Sequence, residues 1–163
     1  MLPSWGLAQA AAALVGQNLG AKQPERAEKS VWRTAIYNAI FLLVVSIVFF
    51  LAAEFIVSTF FTDDKRVIEL AAMSLKVVCL GYVFFAMGMV VSQAFNGAGD
   101  TLTPTIVNIV CFWLIQIPLA FDLMKNLEMG LLGVLLCIAI CHSIHAIISI
   151  VLFKGGKWKL QKV

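Results

Sequence analysis

The chain has 163 residues, of which 61% are hydrophobic and 13% are charged. Soluble globular domains average about 45–50% apolar and about 25% charged residues, so the composition argues against a soluble domain and favours an integral membrane protein. The net charge of +3 is small, but most basic residues fall in two short segments, 22–33 and 154–162. Because the chain offers no sizeable soluble surface, nucleic acid is not expected as a partner.

Long charge-free stretches predict membrane-spanning helices, since about 20 apolar residues cross a hydrocarbon core of roughly 30 Å. Helices are favoured over barrel strands because the stretches are apolar on every face and do not alternate. The predicted segments cover about 6–16, 34–53, 67–95, 104–121 and 130–153. Polar residues dilute the first segment, which is interpreted as the closing half of a membrane helix. The predicted fold is therefore all-α: a polytopic bundle of four full transmembrane helices and a partial N-terminal one.

The basic residues predict the orientation of these helices. The connection between the first two segments and the tail 154–163 lie on the same side of the membrane and hold most of the Lys and Arg residues. Loops rich in Lys and Arg stay in the cytoplasm. The chain is therefore expected to be a multi-pass protein of the cell membrane with a cytoplasmic C-terminus. Trp32 and Trp158 fall at the same boundary, where tryptophan side chains favour the lipid interface.

Two connections between predicted helices carry motifs rich in glycine and polar residues. The first contains Gly16, Gln17, Asn18, Gly20, Pro24, Glu25 and Arg26, and the second contains Gly97, Gly99, Asp100, Thr101 and Pro104. Proline suits the first turn of a helix, glycine suits a helix end, and threonine or aspartate caps a helix N-terminus. Thr101 is the predicted N-cap, with Asp100 as a further acceptor. In this order and spacing, the motifs resemble loops of the multidrug and toxin extrusion (MATE) transporters.

The resemblance implies a protein of two six-helix bundles that exports cationic or amphipathic compounds in exchange for Na⁺ or H⁺. This chain would be part of one six-helix lobe. The basic tail and the segment 116–120 favour an assignment to the end of helix eight through helix twelve. The implied partners are the lipid bilayer, a small-molecule substrate and the missing N-terminal helices of the same transporter. No cofactor is expected apart from the coupling ion.

Two other functions remain open from the sequence. One is a flippase of the same superfamily that moves a lipid-linked oligosaccharide, although such a protein needs a strongly cationic cavity and only Lys76 is available inside a segment. The other is a small membrane subunit without a transport cycle. No enzyme is expected, because no nucleotide-binding loop, HExxH motif or intramembrane acid pair is present.

Polar side chains inside membrane segments are candidates for function, because their burial in lipid is costly. The candidates for the transport path are Asn38, Gln93, Asn96, Asn108 and Gln116. The alternative for each is a hydrogen bond that holds two helices together, worth about 0.6 kcal/mol on average. All nine acidic residues lie at or near segment boundaries. The carboxylate that binds the coupling ion is therefore expected in the missing half.

Several other residues carry two interpretations. Pro118 is a hinge candidate, or simply bends its helix. Lys76 is expected to reach the outer interface or an aqueous mouth. His142 and His145 share one helix face and suit either a proton relay or plain packing with a hydrogen bond. A metal site is not expected, because that face offers no third ligand. Gly133, Cys137 and Cys141 form a stripe of small residues suited to helix packing.

Overall fold

The computed structural model describes residues 1–61 and 64–160, and these residues form helices joined by short turns. The α-helices are α1 (Leu2–Gly20), α2 (Pro24–Phe60), α3 (Lys65–Leu80), α4 (Tyr82–Gly97), α5 (Leu102–Asn108), α6 (Gln116–Lys125) and α7 (Gly130–Lys154). A π-helical segment, Ile109–Ile115, joins α5 to α6, and a 3₁₀ turn, Lys157–Leu160, follows α7. The all-α prediction is confirmed. Residues 161–163 of the predicted tail lie outside the described residues.

Three helices in the described ranges are long and apolar enough to cross a membrane: α2, α7 and the continuous helix Leu102–Lys125. The pair α3 and α4 gives a fourth span if it is counted as one helix, and it bends by 49° at Gly81. The predicted segment 67–95 therefore corresponds to two helices. Segment 6–16 lies within α1, which is 19 residues long, and 130–153 coincides with α7.

Helix α2 is longer than its predicted membrane segment, 34–53. It has 37 residues, and a rise of 1.5 Å per residue makes it about 55 Å long. A hydrocarbon core is only about 30 Å thick, so α2 is longer than one straight crossing needs. Pro24 is the first residue of the helix, where its missing N–H costs nothing.

One end of the bundle, here called the basic end, carries the α1–α2 turn, the α4–α5 turn and the tail. The buried core lies towards this end and consists mainly of small side chains. Its members are Ala8, Ala11, Val15, Ala27, Val31, Ala35, Val90, Val91, Ala94, Phe95, Ala98, Phe153 and Trp158. Small residues let helix backbones approach closely, and such contacts hold membrane helices together where lipid removes the hydrophobic driving force.

At the basic end, α1 and α4 approach each other backbone to backbone. A Cβ atom added to Gly97 would lie 2.2 Å from the Ala12 carbonyl oxygen, and one added to Gly16 would lie 3.2 Å from the Gly97 carbonyl oxygen. Only glycine leaves room for this contact. The two loop motifs singled out in the sequence are therefore neighbours in the fold, and their glycines form part of one helix–helix seam.

The turn between α4 and α5 is closed by Gly99 and Asp100. Gly99 adopts a φ of +81°, which favours glycine. Thr101 occupies the predicted N-cap position of α5, but its side chain makes no capping hydrogen bond. Asp100 caps the helix, accepting hydrogen bonds from the Thr103 amide at 3.0 Å and from the Thr103 hydroxyl at 2.7 Å. An ionised carboxylate accepts backbone N–H groups at a helix N-terminus more strongly than a neutral hydroxyl.

The tail folds back onto the bundle. Trp158 was expected at the lipid interface, but its side chain is fully buried by protein. Its ring stacks on Phe153 with centroids 4.6 Å apart, and its indole N–H donates to the Phe153 carbonyl at 2.9 Å. Lys159 then pairs with Glu28 of α2 at 2.5 Å. Trp32 remains half-buried and contacts Phe153 edge to face.

Candidate functional site

The candidate site is a cavity of about 170 Å³ between α4, the end of α5, the π-helical segment and α7. Its polar wall is formed by Ser92, Gln93, Asn108, His142 and His145. Phe85, Met89 and Phe112 supply the apolar wall. Two of the predicted path residues, Gln93 and Asn108, therefore meet at one cavity, together with both histidines.

The two histidines are held by aromatic contacts. The Phe112 ring stacks on His145 with centroids 5.3 Å apart and lies tilted against His142 at the same separation. Phe85 contacts His142 from the other helix, at 5.2 Å. His142 Nδ1 lies 2.8 Å from the Ile138 carbonyl oxygen. Packing and one hydrogen bond thus account for His142, as one interpretation of the sequence expected.

His145 differs from His142 in one respect. Its side chain is 7% exposed, and its Nε2 has no hydrogen-bond partner within the described ranges. Buried polar atoms in proteins are nearly always paired. The described residues therefore leave one hydrogen-bonding position of the His145 ring unmet.

Gly88 of α4 makes room for His145. A Cβ at this position would lie 2.9 Å from His145 Nδ1 and 3.1 Å from the Ala146 Cα. The contact places α4 directly against α7, so the imidazole is wedged between backbone on one side and Phe112 on another. These close contacts fix the position of the imidazole ring between α4 and α7.

The remaining path candidates lie elsewhere. Asn38 is fully buried, and its side-chain amide donates to the Ala86 carbonyl of α4 at 3.1 Å. This bond joins two helices, which is the alternative role considered for it. Asn96 is exposed and donates to Gln93 at 2.9 Å, so it orients a side chain of the cavity. These placements leave the transport-path role a prediction for each residue.

Gln116 lines a second, more open cavity of about 470 Å³ whose other lining residues are Phe112, Ile117, Ala120, Phe121, Met124 and Val134. Phe112 therefore lies between the two cavities. The Gln116 carbonyl accepts a hydrogen bond from the Cys137 thiol at 3.3 Å. This contact, and the 2.9 Å approach of a Cβ at Gly133 to the Leu123 backbone, confirm the packing role of the small-residue stripe on α7.

Pro118 is the third residue of α6, in its first turn, shortly after the π-helical segment. Proline has no N–H to donate and clashes with the carbonyl of the preceding turn. At the end of the π-helical segment the Gln116 amide donates to the Cys111 carbonyl, five residues back instead of the four of an α-helix. This change in hydrogen bonding lies next to Pro118, which interrupts the backbone hydrogen bonds of the helix. The sharp bend of the bundle is at Gly81, and the hinge role of Pro118 stays a prediction.

Lys76 forms an ion pair that the sequence analysis did not anticipate. Its ammonium pairs with Glu54 of α2 at 2.9 Å, and both side chains are partly exposed. The partner explains how a lysine is tolerated inside segment 67–95, since a paired charge costs less in a membrane than an isolated one. Lys76 does not line the 170 Å³ cavity.

The loop motifs of the basic end have structural roles. Pro24, Glu25 and Arg26 line an open groove of about 470 Å³ at the α1–α2 turn. Asn18 donates to the Leu14 carbonyl at 2.7 Å, and Pro104 is buried in α5. The other motif residues contribute backbone contacts: Gln17 accepts from the Ala21 amide, and Thr101 accepts from the Thr105 hydroxyl. Nothing lies within 4 Å of a Cβ at Gly20.

A comparison with models of known protein families supports the resemblance seen in the two loop motifs. The model of the MatE family matches residues 1–121. The chain belongs to the MATE family. Its resemblance in the two loop motifs is therefore confirmed by a match that covers most of the sequence.

Relatives of this MATE chain include the probable multidrug resistance protein NorM of Thermotoga maritima, 28% identical over 162 residues, which cover 99% of this chain and 35% of the relative. Human multidrug and toxin extrusion protein 1 is 26% identical over 159 residues, covering 98% of this chain and 28% of that protein. The chain thus spans about a third of the length of these relatives. The assignment to the end of helix eight through helix twelve stays a prediction.

The fold of the chain also matches a solved structure, described as the inward-facing conformation of a multidrug resistance MATE family transporter of the MOP superfamily. The TM-score is 0.88 at 20% identity, and the match covers 99% of this chain and 38% of that one. The likeness shows that the helices of this chain take the arrangement of a MATE transporter segment.

Proposed function

We propose that this chain is part of a transporter that exports cationic or amphipathic compounds from the cell, driven by exchange for Na⁺ or H⁺. Membership of the MATE family carries the proposal. Relatives named as multidrug resistance and multidrug extrusion proteins support the class of substrate. Because the chain has about a third of their length, the missing N-terminal helices of the same transporter are the proposed partner.

The proposed orientation places the basic end in the cytoplasm. The Lys and Arg residues of the α1–α2 turn and of the tail support it through the positive-inside rule. The pairing of Lys159 with Glu28 brings these two basic segments together at one end of the bundle. The C-terminus is then cytoplasmic and the protein is a multi-pass protein of the cell membrane.

The lining of the cavity argues against the oligosaccharide flippase. A lipid-linked oligosaccharide carries phosphate, which is bound by Lys and Arg side chains. The lining residues of the 170 Å³ cavity include no Lys or Arg, and Lys76 is paired with Glu54 outside it. A neutral polar wall beside aromatic rings suits an amphipathic compound better.

A chimera tests the proposed function. The part of the Thermotoga maritima NorM relative that this chain matches is replaced by the chain itself, and the chimera is produced in bacteria that lack their own efflux pumps. Cells with an active chimera should accumulate less ethidium than cells with the relative truncated at the same junction. An ionophore that collapses the Na⁺ or the H⁺ gradient should abolish the difference and identify the coupling ion.

The result that would overturn the proposal is equally concrete. A chimera that reaches the membrane at the level of the intact relative, and elutes as a single species in detergent, must export ethidium or another cationic dye. If it exports none of a panel of such dyes while the intact relative does, the chain does not supply the transport function of this family segment.

A further inference from the structure

We propose that the exposed face of α2 near the basic end binds an anionic phospholipid, with Arg26, Lys29 and Arg33 holding the phosphate and the apolar residues that follow them contacting an acyl chain. The proposal goes beyond the export function and does not depend on it. Two observations carry it: a row of cations that form no ion pair with other described residues, and an apolar stripe that continues the same face of the helix.

Three basic side chains form one row on α2. With about 3.6 residues per helical turn, Arg26, Lys29 and Arg33 project within about 60° of one another, and all three side chains are exposed. The two salt bridges found among the described residues are made by Lys76 and Lys159, so neither uses this row. The row therefore presents its positive charge to an anion outside the chain.

The open groove at the α1–α2 turn adds room for a head group beside this row. Its volume is about 470 Å³, and its lining residues are Lys22, Gln23, Pro24, Glu25, Arg26 and Lys29. Three cations thus face a single carboxylate. Arg26 donates to the Gln23 side-chain oxygen at 3.4 Å within the groove. Because Arg and Lys side chains bind phosphate through charge-assisted hydrogen bonds, the excess of positive charge favours a phosphodiester.

The same face of α2 becomes apolar where the helix enters the predicted membrane segment 34–53. Its exposed side chains there are Ile36, Tyr37, Ile40, Val44 and Ile47. They project within a sector of about 100° that also contains the cation row, and the buried residues of α2 lie on the opposite face. The stripe is about 16 Å long, half of a hydrocarbon core of about 30 Å. This length matches an acyl chain within one leaflet.

The spacing along the helix places the charges at the level of lipid phosphates. Arg33 directly precedes the predicted membrane segment, and Lys29 lies about 8 Å before its first residue along the helix axis. The head-group layer is about 5–8 Å thick on each side of the hydrocarbon core. Arg26 lies about 12 Å from the segment, and its long side chain extends back towards the same layer. One anionic lipid can therefore contact the cation row and the apolar stripe together.

The test measures lipid binding to the full chain in detergent micelles by native mass spectrometry. The probes are dioleoylphosphatidylglycerol and dioleoylphosphatidylcholine, which share their acyl chains and differ in the net charge of the head group. Phosphatidylglycerol should bind about tenfold more tightly, because each Lys or Arg near the membrane surface attracts anionic lipid. Glycerophosphoglycerol, the same head group without acyl chains, should not displace it at equal concentration. Equal competition would mean that the groove binds phosphate alone, and would overturn the lipid proposal.

Paired substitutions identify the cations that bind the phosphate. The double variant Lys29→Gln with Arg33→Gln should reduce the preference for phosphatidylglycerol to about twofold or less. The charge-conserving variant Lys29→Arg with Arg33→Lys should retain it. The matched control is Lys65→Gln with Arg66→Gln, which removes one exposed lysine and one exposed arginine from the other end of the bundle. A loss of equal size in this control would show a general effect of charge and would overturn the site.

Two further measurements locate the lipid and exclude a covered face. Phosphatidylglycerol with a photoreactive diazirine in its acyl chain should label α2 between 36 and 47 in the unaltered chain. Labelling spread evenly over the helices, or equal affinities for the two lipids, would contradict the proposal. The chimera with the NorM relative should show the same preference, and its absence there would mean that the rest of the transporter covers this face. An inactive chimera that still prefers phosphatidylglycerol would count against the export proposal alone.

Discussion

The basic end of the bundle and the cavity between α4, α5 and α7 differ in how closely the helices pack. At the basic end, α1 and α4 touch backbone to backbone at Gly97, and Trp158 is fully enclosed. Further along α4 and α7, the helices leave about 170 Å³ open, and a buried nitrogen of His145 has no partner among the described residues. Close contact between small side chains holds the helices together at the basic end, whereas open space lined by polar side chains forms the candidate site.

The difference has a physical origin in the residues of each region. Alanine and glycine remove the side-chain volume that keeps helices apart, so the backbones meet. The cavity is instead lined by the rings of Phe85, Phe112 and the two histidines, with Gln93 and Asn108 beside them. Changes at the basic end should therefore reduce stability, and changes at the cavity should alter binding while leaving stability nearly intact.

The largest expected effect is at Trp158. Trp158→Ala removes a fully buried ring and its hydrogen bond to the Phe153 carbonyl, so the free energy of unfolding in detergent should fall by about 3–5 kcal/mol. The control is Trp113→Ala, because the Trp113 side chain is 70% exposed and its removal leaves no cavity. If both variants lose the same amount, the enclosure of Trp158 by the tail does not stabilise the bundle.

A smaller loss is expected at the seam of α1 and α4. Gly97→Ala places a Cβ 2.2 Å from the Ala12 carbonyl oxygen, and the backbones must separate, which costs about 1–3 kcal/mol. Gly6→Ala is the matched control on α1, since nothing lies within 4 Å of its Cβ. It should be neutral or slightly stabilising. Equal unfolding midpoints for the two variants would contradict the close contact.

The ion pair that fastens the tail should contribute less and depend on pH. The hydrogen bond from Lys159 lowers the pKa of Glu28 below its ordinary value of 4.5, and Trp32 donates to the same carboxylate. Because the folded-state pKa is depressed, the stabilisation is present above pH 4.5 and is lost as the pH falls through the lower folded-state value. Partial exposure and salt screening limit it to about 0.5–1 kcal/mol.

Unfolding measurements on Glu28→Gln check this pH dependence. The unaltered chain should be more stable than the variant near neutral pH, and the difference should vanish in acid. Glu25→Gln is the control, since Glu25 is exposed on the same helix. A difference for Glu28→Gln that stays constant down to strongly acidic pH would rule out the ion pair as its cause.

The smallest stability effect is expected at the cavity. Asn108 is exposed on the cavity wall, so Asn108→Ala should change the free energy of unfolding by no more than about 0.5 kcal/mol. The same variant in the chimera should alter ethidium export. If Asn108→Ala strongly reduced the free energy of unfolding and left export unchanged, Asn108 would have a structural role and the cavity would not be a site of transport.

The sequence predicted the helices well because membrane solvation acts locally. Segments 104–121 and 130–153 could be located from their apolar length alone. In lipid the backbone N–H and C=O groups of each residue must be hydrogen-bonded within the segment, which favours a helix throughout. The loop motifs also identified the family. The break at Gly81 could not be predicted, because Gly81 packs against Ala139 of α7, a contact between residues far apart in the chain.

The sequence by itself determined that the chain is a polytopic helical membrane protein of the MATE type, with most of its basic residues at one end. Only the tertiary structure decided which polar residues meet. It separated Asn38, bonded to the Ala86 carbonyl, from Gln93 and Asn108 at the cavity, and it added His145 to them. Helix rotation and pairing set these neighbours, and in a membrane both depend on the fit of small residues between helices, which no single segment encodes.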